Sequence, residues 1–280
     1  NSRNSHFQYG PLFWGKATPV QRILIEQGKA RGVLMEDGSE LRAPIVLSNS
    51  DPKRTFLGLV DEAELPDDFR REIASIRMRG PSAKLNLALK REPTVLGRDP
   101  SADPRERSLL TIVPSLEGAQ RIADCARRGE ISDELWIDVV IPSLVDDTLC
   151  PPGKAMMTCF IQYVPYHLAE GAWDERREEL ADSIIRQIAR HVPDLPELIE
   201  GRVMLTPLDL ERRFGLTEGN IFHGDLNIGQ LFAMRPTPGW SQYRSPVSGL
   251  YLCGAGAHPG GGVTGAPGHN AAAQVLRDRR

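Results

Sequence analysis

Cysteine is scarce: four residues in 280 (Cys125, Cys150, Cys159 and Cys253), with no C-x-x-C spacing among them. That excludes a disulfide framework and a cysteine-built zinc site, and makes a reducing, cytoplasmic compartment the expectation. Runs of about 18 apolar residues are missing, so no segment reads as a membrane-spanning helix. A surplus of positive charge is missing too. With 34 basic and 37 acidic side chains the net charge is -3, which leaves no field to hold a phosphate backbone and argues against a nucleic-acid partner. Neither G-x-S-x-G nor G-x-x-x-x-G-K-[ST] occurs, so serine hydrolases and Walker ATPases lack their first requirement. The opening Asn1-Ser-Arg-Asn-Ser has no initiating Met and no charged-then-apolar leader pattern, so the chain reads as a piece of a longer one.

What is present is globular. At 40% hydrophobic and 25% charged residues, the chain can bury a core without staples and is not disordered. From Val20 to Leu47 the pattern predicts a three-stranded antiparallel meander. Its strands hold Val20, Ile23 and Ile25, then Ala30 to Met35, then Leu41 with Ile45 to Leu47; Gln27-Gly28 and Asp37-Gly38 supply the turns. Further on, Phe69, Ile73 and Ile76 at helical spacing predict a short helix, and Ser82–Leu89 a strand. Residues 98–107 read as a charged loop and Leu116–Arg128 as a helix. Residues 134–145 and 155–164 read as strands that could pair. Trp173–His191 carries a stripe of Leu180, Ile184, Ile185 and Ile188 and is expected to be a helix. Gly215–Trp240 reads as a long irregular loop. No regular βαβ alternation appears, so the fold class expected is α+β.

The chemistry-bearing stretch is Leu250-Tyr-Leu-Cys253-Gly254-Ala-Gly256-Ala-His258-Pro-Gly260-Gly-Gly262-Val-Thr264-Gly265-Ala-Pro267-Gly268-His269-Asn270, followed by an apolar helical face at Ala271, Ala272, Val275 and Leu276. Between strand and helix lie seven glycines in the fifteen residues from Gly254 to Gly268. A strand, a glycine-rich turn and a helix start bring unpaired N–H groups and a positive dipole end together, which suits an anion such as phosphate. Gly260–Gly265 satisfies G-x-G-x-x-G literally. It does not open a βαβ unit, because 15 residues follow it where about 30 are needed. A glycine-rich connector with no ligand is the plain alternative.

That stretch resembles the C-terminal flavin-binding signature of the phytoene dehydrogenase-like FAD-dependent oxidoreductases, within the amine-oxidase-type flavoproteins. The meander from Val20 to Phe56 and the run Gly219-Asn-Ile-Phe-His-Gly-Asp-Leu-Asn-Ile-Gly-Gln-Leu-Phe-Ala-Met-Arg-Pro236 resemble two further regions of the same family. The resemblance covers about Lys16 to Arg280; Asn1–Gly15 do not match. It implies a partial FAD-binding domain from residues 1–52 and 245–280: the meander plus a strand–glycine loop–helix. An antiparallel-sheet substrate domain with helices would fill 53–244. The cofactor implied is FAD. Val20 would offer its backbone to the adenine. Gly254, Ala255 and Gly256 would approach the pyrophosphate and ribityl chain, and Gly262, Val263 and Thr264 would face the pyrimidine edge of the flavin. The acidic residue that many flavoproteins of the wider group place after the first glycine is replaced here by Ala255-Gly256, as in the carotenoid-desaturase branch. The family's N-terminal strand–G-x-G-x-x-G–helix is absent, so this chain by itself is expected to bind FAD weakly or not at all and to be inactive.

The expected reaction is therefore a dehydrogenase- or desaturase-like transfer of a hydride equivalent from an organic, apolar small molecule to flavin. The alternative is a non-catalytic binding module that has lost the cofactor. Peripheral membrane contact is expected only if the substrate is a lipid. His223, His258 and His269 show no metal-ligand spacing, so no metal is expected; His258 reads instead as polar lining near the flavin. Cys253 reads as packing rather than as a nucleophile. Arg235 could pair with FAD phosphate, with substrate, or in a structural ion pair. No catalytic acid or base is assigned.

Overall fold

The computed structural model describes residues 18–279. The first 17 residues of the expected 1–52 segment, including the unmatched Asn1–Gly15, lie outside the described residues, as does Arg280. Strands β1 (Val20–Glu26) and β2 (Lys29–Met35) form the expected hairpin. Its turn residues Gln27 and Gly28 both sit at positive φ, 54° and 68°, as a tight hairpin turn requires. β3 (Glu40–Arg42) pairs antiparallel with β2. The expected third strand does not run on to Leu47. Pro44 cannot donate to a ladder, and beyond it β4 (Val46–Ser48) leaves the meander for another sheet.

A helical turn at Arg54–Leu59 and helix α1 (Asp67–Ser75) follow. Next comes the larger sheet with its helices: β5 (Ser82–Leu89), α2 (Pro104–Arg107), β6 (Leu109–Ile112), α3 (Leu116–Arg128), β7 (Trp136–Val140), β8 (Ala155–Gln162), α4 (Trp173–Ala189), α5 (Leu195–Leu198), β9 (Ile199–Leu205) and α6 (Pro207–Phe214). The strands lie in the order β6-β7-β8-β5-β9 with every neighbouring pair antiparallel. The expected pairing of β7 with β8 is present. The expected loop at 98–107 instead ends in α2, because Asp103 caps the Arg105 amide and Pro104 is preset for a first helical turn.

Alternation decides which face of this sheet is dry. Leu85, Leu87, Ile137, Val139, Met157, Cys159 and Ile161 are all buried against the α4 stripe of Leu180, Ala181, Ile184 and Ile188. Each such large side chain contributes about 1.5–3 kcal/mol on leaving water. The helices around it are well ended. The Ser115 hydroxyl accepts from the Gly118 amide and Gly129, at φ 79°, closes α3. Thr206 and Asp209 form a reciprocal capping box on α6, and the Arg177 guanidinium donates to the buried Asp209 carboxylate at 2.8 Å.

A second core lies apart from the first. Ile23, Ala30, Leu250, Leu252, Ala257 and Ala271 meet Phe56, Phe69, Ile73 and Met78 there. The segment 56–78, expected with the substrate domain, thus packs with the meander. β10 (Leu250–Leu252) and helix α7 (Ala266–Asp278) complete this region. β10 runs parallel to β4, Val46 opposite Leu250 and Ser48 opposite Leu252.

Candidate functional site

Parallel strands present their carboxyl ends side by side, and in open α/β sheets that is where ligands sit. Here the segment Asn49–Pro52 leaves β4 next to the segment Cys253–Gly256 leaving β10, and the Cys253 amide donates to the Ser48 carbonyl at 2.9 Å. The approach is too close for any side chain. A Cβ on Gly254 would lie 2.5 Å from Asn49 Oδ1 and 2.7 Å from the Asn49 carbonyl; on Gly256 it would lie 2.5 Å from Pro52 Cδ. These two glycines are therefore required by packing.

Past the turn, Gly260 and Gly262 adopt φ 115° and 119°, and Val263 adopts φ 56° with its side chain fully exposed. Thr264 Oγ1 accepts from the Ala266 amide, and Gly265, at φ 71°, precedes α7. The helix starts at Ala266, five residues before the apolar face that announced it, because Pro267 fits a first turn. Gly254, Ala255, Gly256, Gly262, Val263 and Thr264 are thus brought together in one loop between β10 and α7. Val20 is not part of it. It opens β1 opposite Met35, and no hydrogen bond among the described residues joins it to the loop.

Of the roles its sequence position allowed, the structural ion pair is not the one Arg235 takes. Only 2% exposed, it makes no ion pair among the described residues. Its guanidinium donates instead to four backbone carbonyls: Gln230 at 2.6 Å, Ala255 at 2.6 Å, Gly224 at 2.9 Å, and Phe222. Four acceptors leave little of its donor capacity for a phosphate. Burial pushes its pKa down, so the fold holds a cation in place with carbonyl dipoles. The result is a clasp that binds the loop 222–230 to the glycine loop. Asn220 stiffens the same segment, its Oδ1 accepting from the Phe222 and Gly224 amides while its Nδ2 donates to the Arg79 carbonyl.

Five buried side-chain atoms lack a partner among the described residues: His223 Nδ1, Asp225 Oδ1, Asn227 Nδ2, Thr237 Oγ1 and His258 Nδ1. His223, Asp225 and Asn227 lie on the loop 222–230 and His258 on the glycine loop, the two segments the clasp joins, while Thr237 lies two residues past Arg235. Buried polar atoms without partners are costly and uncommon. His223 packs against Gly256 and His258 stands on the glycine loop, so these two imidazoles lie where the resemblance implies a flavin, a ring rich in acceptors with one N–H. Burial pulls the His223 pKa down, keeping the imidazole neutral, and pushes the Cys253 thiol up, which fits packing rather than nucleophilic chemistry. The described residues contain no cluster of His, Cys, Asp or Glu able to hold a metal ion.

Beyond the loop 220–227 lies a cavity of about 580 Å³. Its walls come from the residues before β5, the end of β8 with the turn after it, and the C-terminal half of α3. Pro81, Ala123, Ala126, Pro165, Phe222 and Leu226 make much of the surface apolar, and Asp225 and Asn227 line it as well. Within the run 219–236 the sequence pointed to possible roles for His223 and Arg235 but to none for the residues lining this cavity. The available signal was Asn220 followed by Gly224, the pattern of an Asx-type turn.

No protein-family model matches the chain. It is 42% identical over 278 residues to pyridine nucleotide-disulfide oxidoreductase domain-containing protein 2 of Rattus norvegicus, covering 96% of this chain and 48% of that protein. It is also 26% identical to a neurosporene-forming phytoene desaturase of Cereibacter sphaeroides, over 89% of this chain and 46% of the relative. Over most of its length the chain is thus similar to oxidoreductases of this kind, phytoene desaturases among them. It spans about half the length of the curated relatives it matches. An oxidoreductase from Methanosarcina mazei shares the fold at 18% identity with a TM-score of 0.54, over 93% of this chain and 49% of that structure. Among the described residues no helix is long and apolar enough to cross a membrane.

Proposed function

We propose that this chain supplies the glycine-loop side of the flavin site, together with the substrate chamber, of an FAD-dependent dehydrogenase or desaturase. The observation that carries this reading is the glycine loop at the carboxyl ends of β4 and β10, with His223 packed against Gly256 and His258 on the loop itself, both with an unpartnered buried nitrogen. FAD, when bound, accepts a hydride equivalent; the protein supplies binding, orientation and electrostatics. Gly254, Ala255 and Gly256 would let the pyrophosphate and ribityl chain approach the backbone. Gly262, Val263 and Thr264, with the positive end of α7 behind them, would favour negative charge on the pyrimidine edge. Val20 would serve the adenine from the meander. His223 and His258 would line the ring, and Arg235 would hold the two loops at a fixed separation.

The substrate in this reading is an organic small molecule held in the 580 Å³ cavity, within the range of ligand pockets. Membrane contact would follow only for a lipid substrate. No strand–G-x-G-x-x-G–helix fingerprint opening a βαβ unit stands in the 280 residues, so the chain would retain FAD poorly without a segment that cradles the ADP phosphates. Gel filtration of the chain after incubation with excess FAD tests this. The expected eluate carries well under one flavin per chain, and stoichiometric retention would contradict the half-site reading. Anaerobic bleaching of the flavin by a candidate substrate, in an FAD-loaded longer protein containing this chain, tests the reaction class.

A further inference from the structure

The loop that Arg235 clasps to the glycine loop is apolar on its outside. From Leu226 to Met234 the run Leu-Asn-Ile-Gly-Gln-Leu-Phe-Ala-Met holds no charged residue. Ile221, Leu226, Ile228, Phe232 and Met234 are all exposed, Ile228 to 92% and Phe232 to 63%. Val263 extends this surface from the glycine loop. Its side chain is fully exposed, and two residues before it a Cβ on Gly261 would lie 3.0 Å from Phe222 Cδ1, so the two loops touch there. Exposed apolar side chains scattered singly are ordinary, but a set of them on two joined loops marks an interaction surface.

These side chains are held out by a fixed backbone. Arg235 binds the carbonyls of Phe222, Gly224 and Gln230, and the Gln230 side chain bonds the Arg77 backbone in both directions. The Gln230 and Met234 amides close turns onto the Asn227 and Leu231 carbonyls. Phe232 and Val263 adopt φ 52° and 56°, which is costly for a residue with a Cβ.

The relatives indicate what covers such a rim. The alignment takes in 96% of this chain but only 48% of the rat protein, so a protein of that size has as much chain again outside the matched part. A lipid surface fits less well. Between Phe214 and Tyr243 the single Lys or Arg is Arg235, which is buried, leaving that segment no exposed cation to meet anionic headgroups. We propose that the rim formed by residues 221–234 and Val263 is the face on which the other half of a longer protein packs, closing the flavin site between the two halves. This rests on the half-site reading and adds the surface by which the halves meet.

Cysteine replacements test it at three rim positions, Ile228→Cys, Phe232→Cys and Val263→Cys. A fourth, Val145→Cys, is an exposed control on the turn between β7 and β8, at the end of the sheet away from the cavity. Each is made in the 280-residue chain and in a longer protein containing it, and alkylation by N-ethylmaleimide is timed by peptide mass spectrometry with and without FAD. All four side chains are exposed, so the replacements leave folding intact. The rim cysteines should react rapidly in the chain and at least about tenfold more slowly in the longer protein, where reagent must wait for a local opening; the control should react equally in both. Equal rim rates in the two proteins overturn the proposal, and if the longer protein still retains FAD the half-site reading survives it. A protected rim in a longer protein that retains no flavin upholds the packing and removes the flavin reading. Protection in the chain alone that rises with its concentration, or on adding phosphatidylcholine–phosphatidylglycerol vesicles, with none gained in the longer protein, overturns the proposal in favour of a second copy or a lipid surface.

Discussion

The two cores of this chain are built to different standards. Around the five-stranded sheet, helix ends are capped, strand faces alternate cleanly, and none of the unpartnered buried polar atoms occurs. Around the glycine loop, a parallel sheet of two strands stands where parallel sheets are normally wide and covered. His223, Phe232 and Val263 hold positive φ, costly for residues with a Cβ, and two of the orphaned atoms, His223 Nδ1 and His258 Nδ1, belong to the loops that meet there. A region complete in itself serves as scaffold. The region next to it carries the strained backbone and the unpartnered imidazoles, and that contrast is what supports placing the proposed site there.

The largest effect should come from the complete side. Ile184→Ala removes a fully buried side chain between α4 and the sheet and should cost about 3–4 kcal/mol in urea unfolding, with hydrogen exchange at 222–230 and 254–260 little changed. Arg235→Met should show the reverse. Four carbonyls lose their donor, stability falls by about 3 kcal/mol, and protection disappears first in those two loops. Arg235→Lys, keeping the charge with fewer donors, should recover part of it. If both variants loosen both regions equally, the division into two standards is wrong. Gly254→Ala drives a Cβ against the Asn49 backbone and should cost about 1–3 kcal/mol, accompanied by amide shifts in Asn49–Pro52 and none in β5–β8.

The smallest effect sharpens the comparison through pH. The Asp225 pKa is raised in the fold above its ordinary 3.8, chiefly by burial. Its stabilising contribution is therefore fully present below 3.8 and is lost as pH rises through the native value. Asp225→Asn should remove that loss. The variant gains on the wild type as pH climbs through this window, as denaturant midpoints at several pH values would reveal. A difference that does not vary with pH would show that Asp225 is not desolvated.

Periodicity made the sheet unit legible from sequence. The stripe at Leu180, Ile184 and Ile188 and the alternation at Leu85, Leu87 and Met157 follow directly from burial on one face. The meander's third strand was only half legible, because its Val46–Ser48 end pairs with Leu250–Leu252, some 200 residues on, and local pattern carries no sign of that. The glycine loop was legible as composition, yet the need for Gly254 and Gly256 lies in the approach of Asn49 and Pro52. Arg235 was visible, but its carbonyl partners were not, because they come from segments that only the fold brings together. The cavity residues Asp225 and Asn227 were invisible for the same reason.

Amide NMR of the chain titrated with FAD tests the central claim most directly. The account predicts weak, saturable shifts gathered at Asn49–Pro52, His223–Asn227 and Gly254–Gly265, with the sheet residues of β6 to β8 unmoved. Absence of shifts at millimolar FAD, or shifts confined to the sheet unit, would contradict the assignment of the glycine loop to the flavin.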